Sequence, residues 1–487
     1  MKYKLIIILA IVLTSASLHS CKKFLDINDN PNAAENVDPK LLFSFATTAY
    51  VNLRSSGDLY IPLALAGQSI SSGGNNPTGW GLITEQQYDV SSFSHGNSWS
   101  TYYVRGGNNL KQAIQIAETS EPANNNAAAQ AKILLALLVY ETTTLYGDVP
   151  FTEAWNVDIS YPNFDPQKTV LEGAISLCDE ALAQIDDASP LKIDGLYDMF
   201  YGGDLDKWKR LAKSIKLRTL LTMVDADPEK VAQIGQIINE GEASLVNSAA
   251  DNFFIPYETV ANKRNPKYAI NLQYNGGVNF FFGSTYVVDF MRAISDPRLP
   301  KFFTKPAEAD NYYGLEPGAN GVNTEHVRIS NELHAADAPE VIFTYQEQLF
   351  YEAEIYARGL GVAVDIPKAN TLLKKAIEES CKFYGVSASE ASTFANGLPN
   401  ISSAADLRYS ISYHHWVDKM DRGIDAFTQW RRSGPAGSEV PNLTLPVLAP
   451  EGGLFRRFQY PASNEISANP NAPKEAILYF EKTWFDL

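Results

Sequence analysis

The sequence predicts a mainly helical chain: a scaffold of tetratricopeptide-like helical hairpins interrupted by long, loop-rich insertions. Three observations predict it. Apolar residues recur at the three-to-four spacing of buried helix faces through most of the chain. Small residues fall at intervals that let paired helices approach closely: Ala357, Ala369 and Ala376 lie twelve and then seven apart, and Ala174 and Ala181 repeat the seven. Between the periodic stretches run long segments rich in Gly, Asn, Ser and aromatic residues, with no period. Only one repeat unit is clear, so several hairpins broken by insertions are expected, not a regular solenoid.

The chain opens on an export pattern. Lys2 and Lys4 give a basic start, residues 5–13 an apolar run, and Leu18-His19-Ser20 lead into Cys21. Nine apolar residues are too few for a bilayer span, which takes about 20. Residues 1–20 are therefore expected to be a lipoprotein signal peptide, with Cys21 lipidated as the first residue of the mature chain. Residues 21–38 are polar, rich in Asn and Asp and interrupted by Pro31, and read as a tether. Asp38-Pro39 is a good helix start, and residues 39–487 are expected to form a single domain.

The helices follow in order. Leu110, Ala113, Ile114 and Ala117 mark one buried stripe, and residues 127–146 are so rich in Ala and Leu that deep burial is expected. Trp208, Leu211, Ala212 and Ile215 mark another stripe. Leu349, Ala353, Tyr356, Ala357 and Leu360 precede a turn over residues 359–367, and Ala369, Leu372, Leu373, Ala376 and Ile377 follow it, which predicts two antiparallel helices. Cys178 and Cys381 sit on such faces and read as small core residues, with nothing to favour a disulfide between them. The insertions cover residues 71–107, 252–283, 311–323 and 434–473.

Composition excludes several classes. The net charge is −16 and becomes −18 once Lys2 and Lys4 leave with the signal, so neither nucleic acid nor anionic lipid headgroups would be bound directly. Gly67-Gln68-Ser69-Ile70-Ser71 misses the nucleophile elbow at its last position. There is no zinc, phosphate or dinucleotide motif, so no metal site, catalytic residue or cofactor is expected. His414 and His415 are adjacent and would diverge on a helix instead of converging on a metal.

Binding residues stand out better. Aromatic faces stack on sugar rings, while Asn and Gln side chains bond the hydroxyls. The insertions combine these types, which marks them as a ligand face. Trp80, Asn97 and Trp99 in the first, and Tyr274 and Asn275 in the second, are the candidate ligand contacts. Other aromatics of these loops are expected to pin them to the scaffold.

Ordered motifs carry a family resemblance. Cys21 and Asp26-Ile27-Asn28 are followed by Tyr146-Gly147-Asp148-Val149-Pro150-Phe151-Thr152-Glu153-Ala154, then Trp208-Lys209-Arg210-Leu211-Ala212 and Lys216-Leu217-Arg218. Asp296-Pro297-Arg298-Leu299, Glu352-Ala353-Glu354-Ile355-Tyr356-Ala357-Arg358-Gly359, Asp421-Arg422-Gly423, Trp430-Arg431-Arg432-Ser433-Gly434, Arg457, Tyr460-Pro461 and Glu465 complete the series. In this order they resemble the SusD/RagB family of outer-membrane nutrient-binding lipoproteins, in its SusD-like branch. The resemblance implies four tetratricopeptide-like hairpins and a place on the outer surface as the lid of a TonB-dependent SusC-like barrel. It implies a ligand, typically an oligosaccharide or sometimes a peptide, held by the loops and imported without chemistry. It also favours Trp99, which precedes Tyr103 and Asn108-Asn109 at a helix start where family members place an aromatic near the ligand. The alternatives are a surface glycoside hydrolase on a helical scaffold, a peptide-binding lid of the same kind, and a purely structural partner protein.

Overall fold

Asp38-Pro39 opens a helix as expected: α1 runs Pro39–Ser55 and buries Phe43, Ala46, Tyr50 and Val51 along one side. A computed structural model describes residues 37–73, 82–272, 277–434 and 437–487. After α1 come the wholly buried α2 (Tyr60–Ala66) and the short strand β1 (Ile70–Ser71). Next, α3 (Ser92–Ser100) is capped by Ser91, whose hydroxyl accepts from the Phe93 N–H. It continues without a break through a π-helical stretch, Thr101–Asn108, into α4 (Asn109–Thr119).

This continuous helix corrects the last part, residues 92–107, of the expected loop over residues 71–107; residues 74–81 lie outside the described ones. Gly96, Gly106 and Gly107 look like helix breakers, yet two of them allow close packing. A Cβ on Gly106 would meet the Leu138 side chain at 2.3 Å, and one on Gly107 would meet the Trp155 ring at the same distance. Tertiary packing therefore outweighs local helix propensity here.

The scaffold then builds in series. α5 (Asn125–Tyr146), capped by Asn124, is buried on almost every side, as its composition predicts. It packs between α4 and α6 (Gln167–Gln184), and α6 packs on α7 (Leu205–Met223), which in turn meets α8 (Val231–Asn239). The expected second insertion holds more regular structure than its composition shows. It contains β2 (Phe253–Ile255), a helical turn at Pro266–Asn271 and β3 (Phe282–Gly283). With β1, β4 (Phe303–Thr304) and β5 (Arg328–Ile329), β3 makes a small antiparallel sheet in the order β1-β3-β5-β4, while β2 pairs with β6 (Glu340–Phe343).

The hairpin expected around residue 360 is present. α9 (Tyr345–Arg358) ends at left-handed Gly359, and α10 (Ile366–Phe383) starts at Asp365, whose side chain caps Lys368 N. Ala357, Ala369 and Ala376 are buried between them. Gly361 in the turn meets Gly235 of α8 so closely that a Cβ on either would lie 2.4 Å from the other's backbone. α11 (Ala388–Gly397), α12 (Ala404–Asp418) and α13 (Gly423–Arg431) follow, with α11 on α10, α12 on α9 and α13 against α2. Residues 39–487 form one compact unit.

Charged residues hold the helices together inside this unit. Glu347 of α9 receives Lys419 and Arg422 at 2.9 Å each, and Arg218 of α7 lies 3.8 Å away. Arg432 and Arg358 both pair with Glu354. Arg431 donates to the carbonyls of Thr144 and Arg456. The arginine motifs near the C-terminus are thus internal fasteners, each planar guanidinium matched to a buried carboxylate or carbonyl. His414 and His415 are buried as well. Burial lowers His414 to about 3, and the His415 ring stacks on Phe350 at 4.9 Å. Cys178 and Cys381 are buried and unpaired.

Candidate ligand-binding site

The junction of α3 with the π-helical stretch places two aromatic residues in one opening, Trp99 from α3 and Tyr103 from the π-helical stretch. Trp99 and Tyr103 lie one turn apart, with ring centroids 4.5 Å apart. Trp99 meets Tyr146 and Tyr460 edge-on at 5.1 and 6.0 Å, and Phe164 stacks parallel to it at 6.3 Å. π-Helical turns recur at functional sites because they displace a side chain from its ordinary register.

The opposite wall comes from residues 150–164. Trp155 adopts a left-handed backbone, φ 60°, which is costly for a bulky residue unless the surroundings impose it. Here they do. Its indole N–H donates to the Tyr103 carbonyl at 2.7 Å, and the two rings stack at 5.6 Å. The Tyr103 hydroxyl donates to the Pro150 carbonyl at 2.8 Å. The loop itself is clamped by Asp165, whose carboxylate accepts the N–H groups of Phe151 and Thr152 at 2.9 and 2.8 Å. Glu153 accepts the Asn163 N–H at 2.8 Å.

A C-terminal segment closes the third side. The Asn469 amide donates to the Pro162 carbonyl and that of Asn471 to the Tyr161 carbonyl, at 2.9 and 2.8 Å. Tyr460 donates to the Asp148 carbonyl. These three segments enclose a pocket of about 380 Å³, lined by Trp99, Tyr103, Trp155, Tyr161, Phe164 and Pro461 among others. That size suits a small ligand or one or two units of a chain. No carboxylate and no cationic side chain is present in the lining among the described residues. Burial raises the Tyr103 phenol well above its ordinary value and Tyr460 to about 12, so both stay neutral.

A larger groove of about 580 Å³ runs along α10 and α11, lined by Pro367, Thr371, Lys374, Glu378, Asn396 and Ser402. It carries no aromatic face. The amide of Asn370 within it already bonds residue 401 on both sides. The aromatic pocket is the better candidate despite its smaller volume.

Of the residues expected to touch ligand, Trp99 lines the pocket. Asn97 does not line it: the side chain is exposed and donates to Asp58 at 2.9 Å. Cys21, Trp80, Tyr274 and Asn275 lie outside the described residues. Trp155, Tyr161 and Phe164 were not anticipated from the sequence. Their one signal is position, in the stretch of residues 155–164 that follows the Tyr146–Ala154 motif.

Gly107 couples the helix to this wall, since an added Cβ would strike Trp155 ring atoms at 2.3 and 2.6 Å. Gly107→Ala is expected to push the indole outward and break its bond to Tyr103. Overpacking of this kind costs about 1–3 kcal/mol. A lowered melting temperature together with a roughly tenfold loss of ligand affinity, measured by calorimetry, is the expected result. Unchanged affinity would show that Trp155 is no part of the site.

A sequence profile for a SusD-like family, described as starch-binding and associating with outer membrane, matches residues 64–461. No curated protein matches the chain. Among solved structures, a SusD homologue from Parabacteroides distasonis superposes with a TM-score of 0.75 at 19% identity, covering 92% of this chain and 97% of that one. A SusD/RagB family protein from Bacteroides thetaiotaomicron gives 0.74 at 19% identity, covering 93% and 99%. A chitin-binding SusD homologue from Flavobacterium johnsoniae gives 0.68 at 16% identity, covering 92% and 97%. At these identities the likeness establishes the fold. It is the mainly helical one that the hairpin pattern predicts.

Proposed function

This chain belongs to the SusD-like family, and on that footing we propose that it is a cell-surface lipoprotein that binds an oligosaccharide and delivers it to a TonB-dependent SusC-like outer-membrane barrel. The observation that carries the reading is the aromatic pocket around Trp99, Tyr103, Trp155 and Phe164. Flat, rigid rings offer large contact area at small entropic cost and match the apolar faces of sugar rings. The family description and the chitin-binding relative support a glycan over other nutrients. Hydrolysis needs two carboxylates beside the scissile bond, and the described lining supplies none, which favours capture without turnover.

Anchoring is assigned to lipid on Cys21. Among the described residues no helix is long and apolar enough to cross a membrane, so attachment through the anchor fits the chain. The partner surface is assigned to the start of α1. Leu41 and Phe45 are about half exposed one turn apart, and Leu196 is 91% exposed beside them. Lys40 over the Tyr197 ring at 5.1 Å ties the two segments together. An uncovered apolar patch of this kind marks an interaction surface, and it lies directly after the tether.

Calorimetry of the purified protein against panels of oligosaccharides and peptides tests the ligand. Binding to a glycan supports the proposal, and binding only to peptides replaces it with the peptide-lid reading. For the partner, the double variant Phe45→Asp, Leu196→Asp is expected to lose co-purification with the barrel while keeping oligosaccharide affinity. Full retention of the barrel would move the docking surface elsewhere.

A further inference from the structure

One exposed aromatic ring lies outside the pocket but on the helix that builds it. Phe93, in the first turn of α3, is 74% exposed. A single exposed apolar residue is ordinary, but the place of this one is not. Phe93, Gly96 and Ser100 follow one another at spacings of three and four, so they share one face of α3. Gly96 and Ser100 line the aromatic pocket. Phe93 therefore stands at the end of the same stripe, about 9 Å of helix before Trp99. No side chain of this face rises between Phe93 and Ser100, because Gly96 has none. Pro461, another lining residue, lies 4.0 Å from where a Cβ on Gly96 would stand, so apolar surface continues from the pocket toward Phe93.

A polar group stands beside this ring. Asn97, one turn after Phe93, is exposed, and its amide donates to Asp58 at 2.9 Å. The Asn97 carbonyl oxygen has no hydrogen-bond partner among the described residues. A flat ring beside a free acceptor can take the apolar face of a sugar and one of its hydroxyls together.

From this we infer that Phe93 and Asn97 form an outer subsite, where the ligand chain continues after it leaves the pocket. A sugar ring stacks on Phe93 there, and one of its hydroxyls donates to the Asn97 carbonyl. The pocket holds one or two units, and the outer subsite holds a unit further along the same chain. Two contacts on one chain act as linked sites, so the second adds affinity without a second loss of free motion. The protein thereby selects chains long enough to touch both. The inference rests on the oligosaccharide reading above and deepens it, since it adds chain length to what the site recognises.

The test titrates the α-1,4-linked glucose series and the β-1,4-linked N-acetylglucosamine series, each from disaccharide to hexasaccharide, into the mature protein by calorimetry. In a series that binds, affinity is expected to rise roughly tenfold from the shortest member to the longest. Phe93→Ala is expected to remove that rise, so that every length binds as the disaccharide does. Phe93→Trp, which keeps a stacking face, is expected to retain it. Equal affinity along the wild-type series, or a rise that survives Phe93→Ala, overturns the inference and leaves the oligosaccharide reading standing. If Phe93→Ala weakens the disaccharide as much as the hexasaccharide, the ring acts within the pocket and the outer subsite is overturned. No binding of any member of either series overturns both.

Discussion

Glu347→Gln is expected to lower the unfolding free energy by about 3–5 kcal/mol, the usual result of removing one partner from a buried ionic cluster. The side chain is fully buried at the junction of α7, α9 and the segment after α12. It receives Lys419 and Arg422 at 2.9 Å and the Tyr351 hydroxyl at 2.8 Å. Arg218 stands 3.8 Å away, its charge also lying over the Tyr140 ring at 4.7 Å. Neutralising Glu347 leaves three cations in a dry interior with fewer counter-charges. Burial alone would raise the Glu347 carboxyl, but Lys419, Arg422 and Arg218 together hold it well below the usual carboxylate range. A depressed folded value gives stability that is complete above the unfolded value, about 4.3 for Glu, and is lost as pH falls below it. Urea titrations should therefore show the largest gap between wild type and variant near neutrality and a narrowing gap below pH 4. A constant gap across that range would show that the loss is steric and not ionic.

Trp155→Ala is expected to weaken oligosaccharide binding by about 2 kcal/mol, roughly 30-fold in Kd, while the far-ultraviolet dichroism stays native. The residue forms the wall facing Trp99 and Tyr103, and its ring is held by one hydrogen bond and one stack. Its replacement also relieves an unfavourable left-handed φ only in part, since Ala shares the penalty. Trp155→Gly separates the two effects: it lacks the ring but accepts the backbone. If both variants lose affinity equally, the ring is the binding element. If only Ala loses it, the backbone shape is what matters.

The hairpin scaffold was legible because its signals are local. Ala357, Ala369 and Ala376 recur at helical intervals, and Asp365 with Pro367 marks the start of α10 in the sequence itself. Residues 92–107 were misread because Gly, Ser and Asn report local preference, whereas Leu138 and Trp155, which Gly106 and Gly107 accommodate, are distant in sequence. The ionic cluster was hidden for the same reason: Arg218, Glu347 and Arg422 come together only in three dimensions. At the site, composition pointed to Trp99 but not to Trp155 or Phe164, which fall outside the aromatic-rich insertions. Asn97 shows the converse, since an amide beside an aromatic in sequence faces Asp58 in the fold.

The described lining of the aromatic pocket carries no charge, which has a consequence for a receptor of the proposed kind. Forces between free charges fade as ionic strength rises, with a screening length near 8 Å at physiological salt. Contacts of rings with an uncharged ligand do not fade in this way, and phenols held neutral by burial do not titrate in ordinary surroundings. A receptor placed as proposed cannot choose its medium. One that recognises its ligand by shape and apolar surface keeps the same affinity in brackish, acidic or dilute fluid, so its capture follows the supply of ligand and not the weather of the solution.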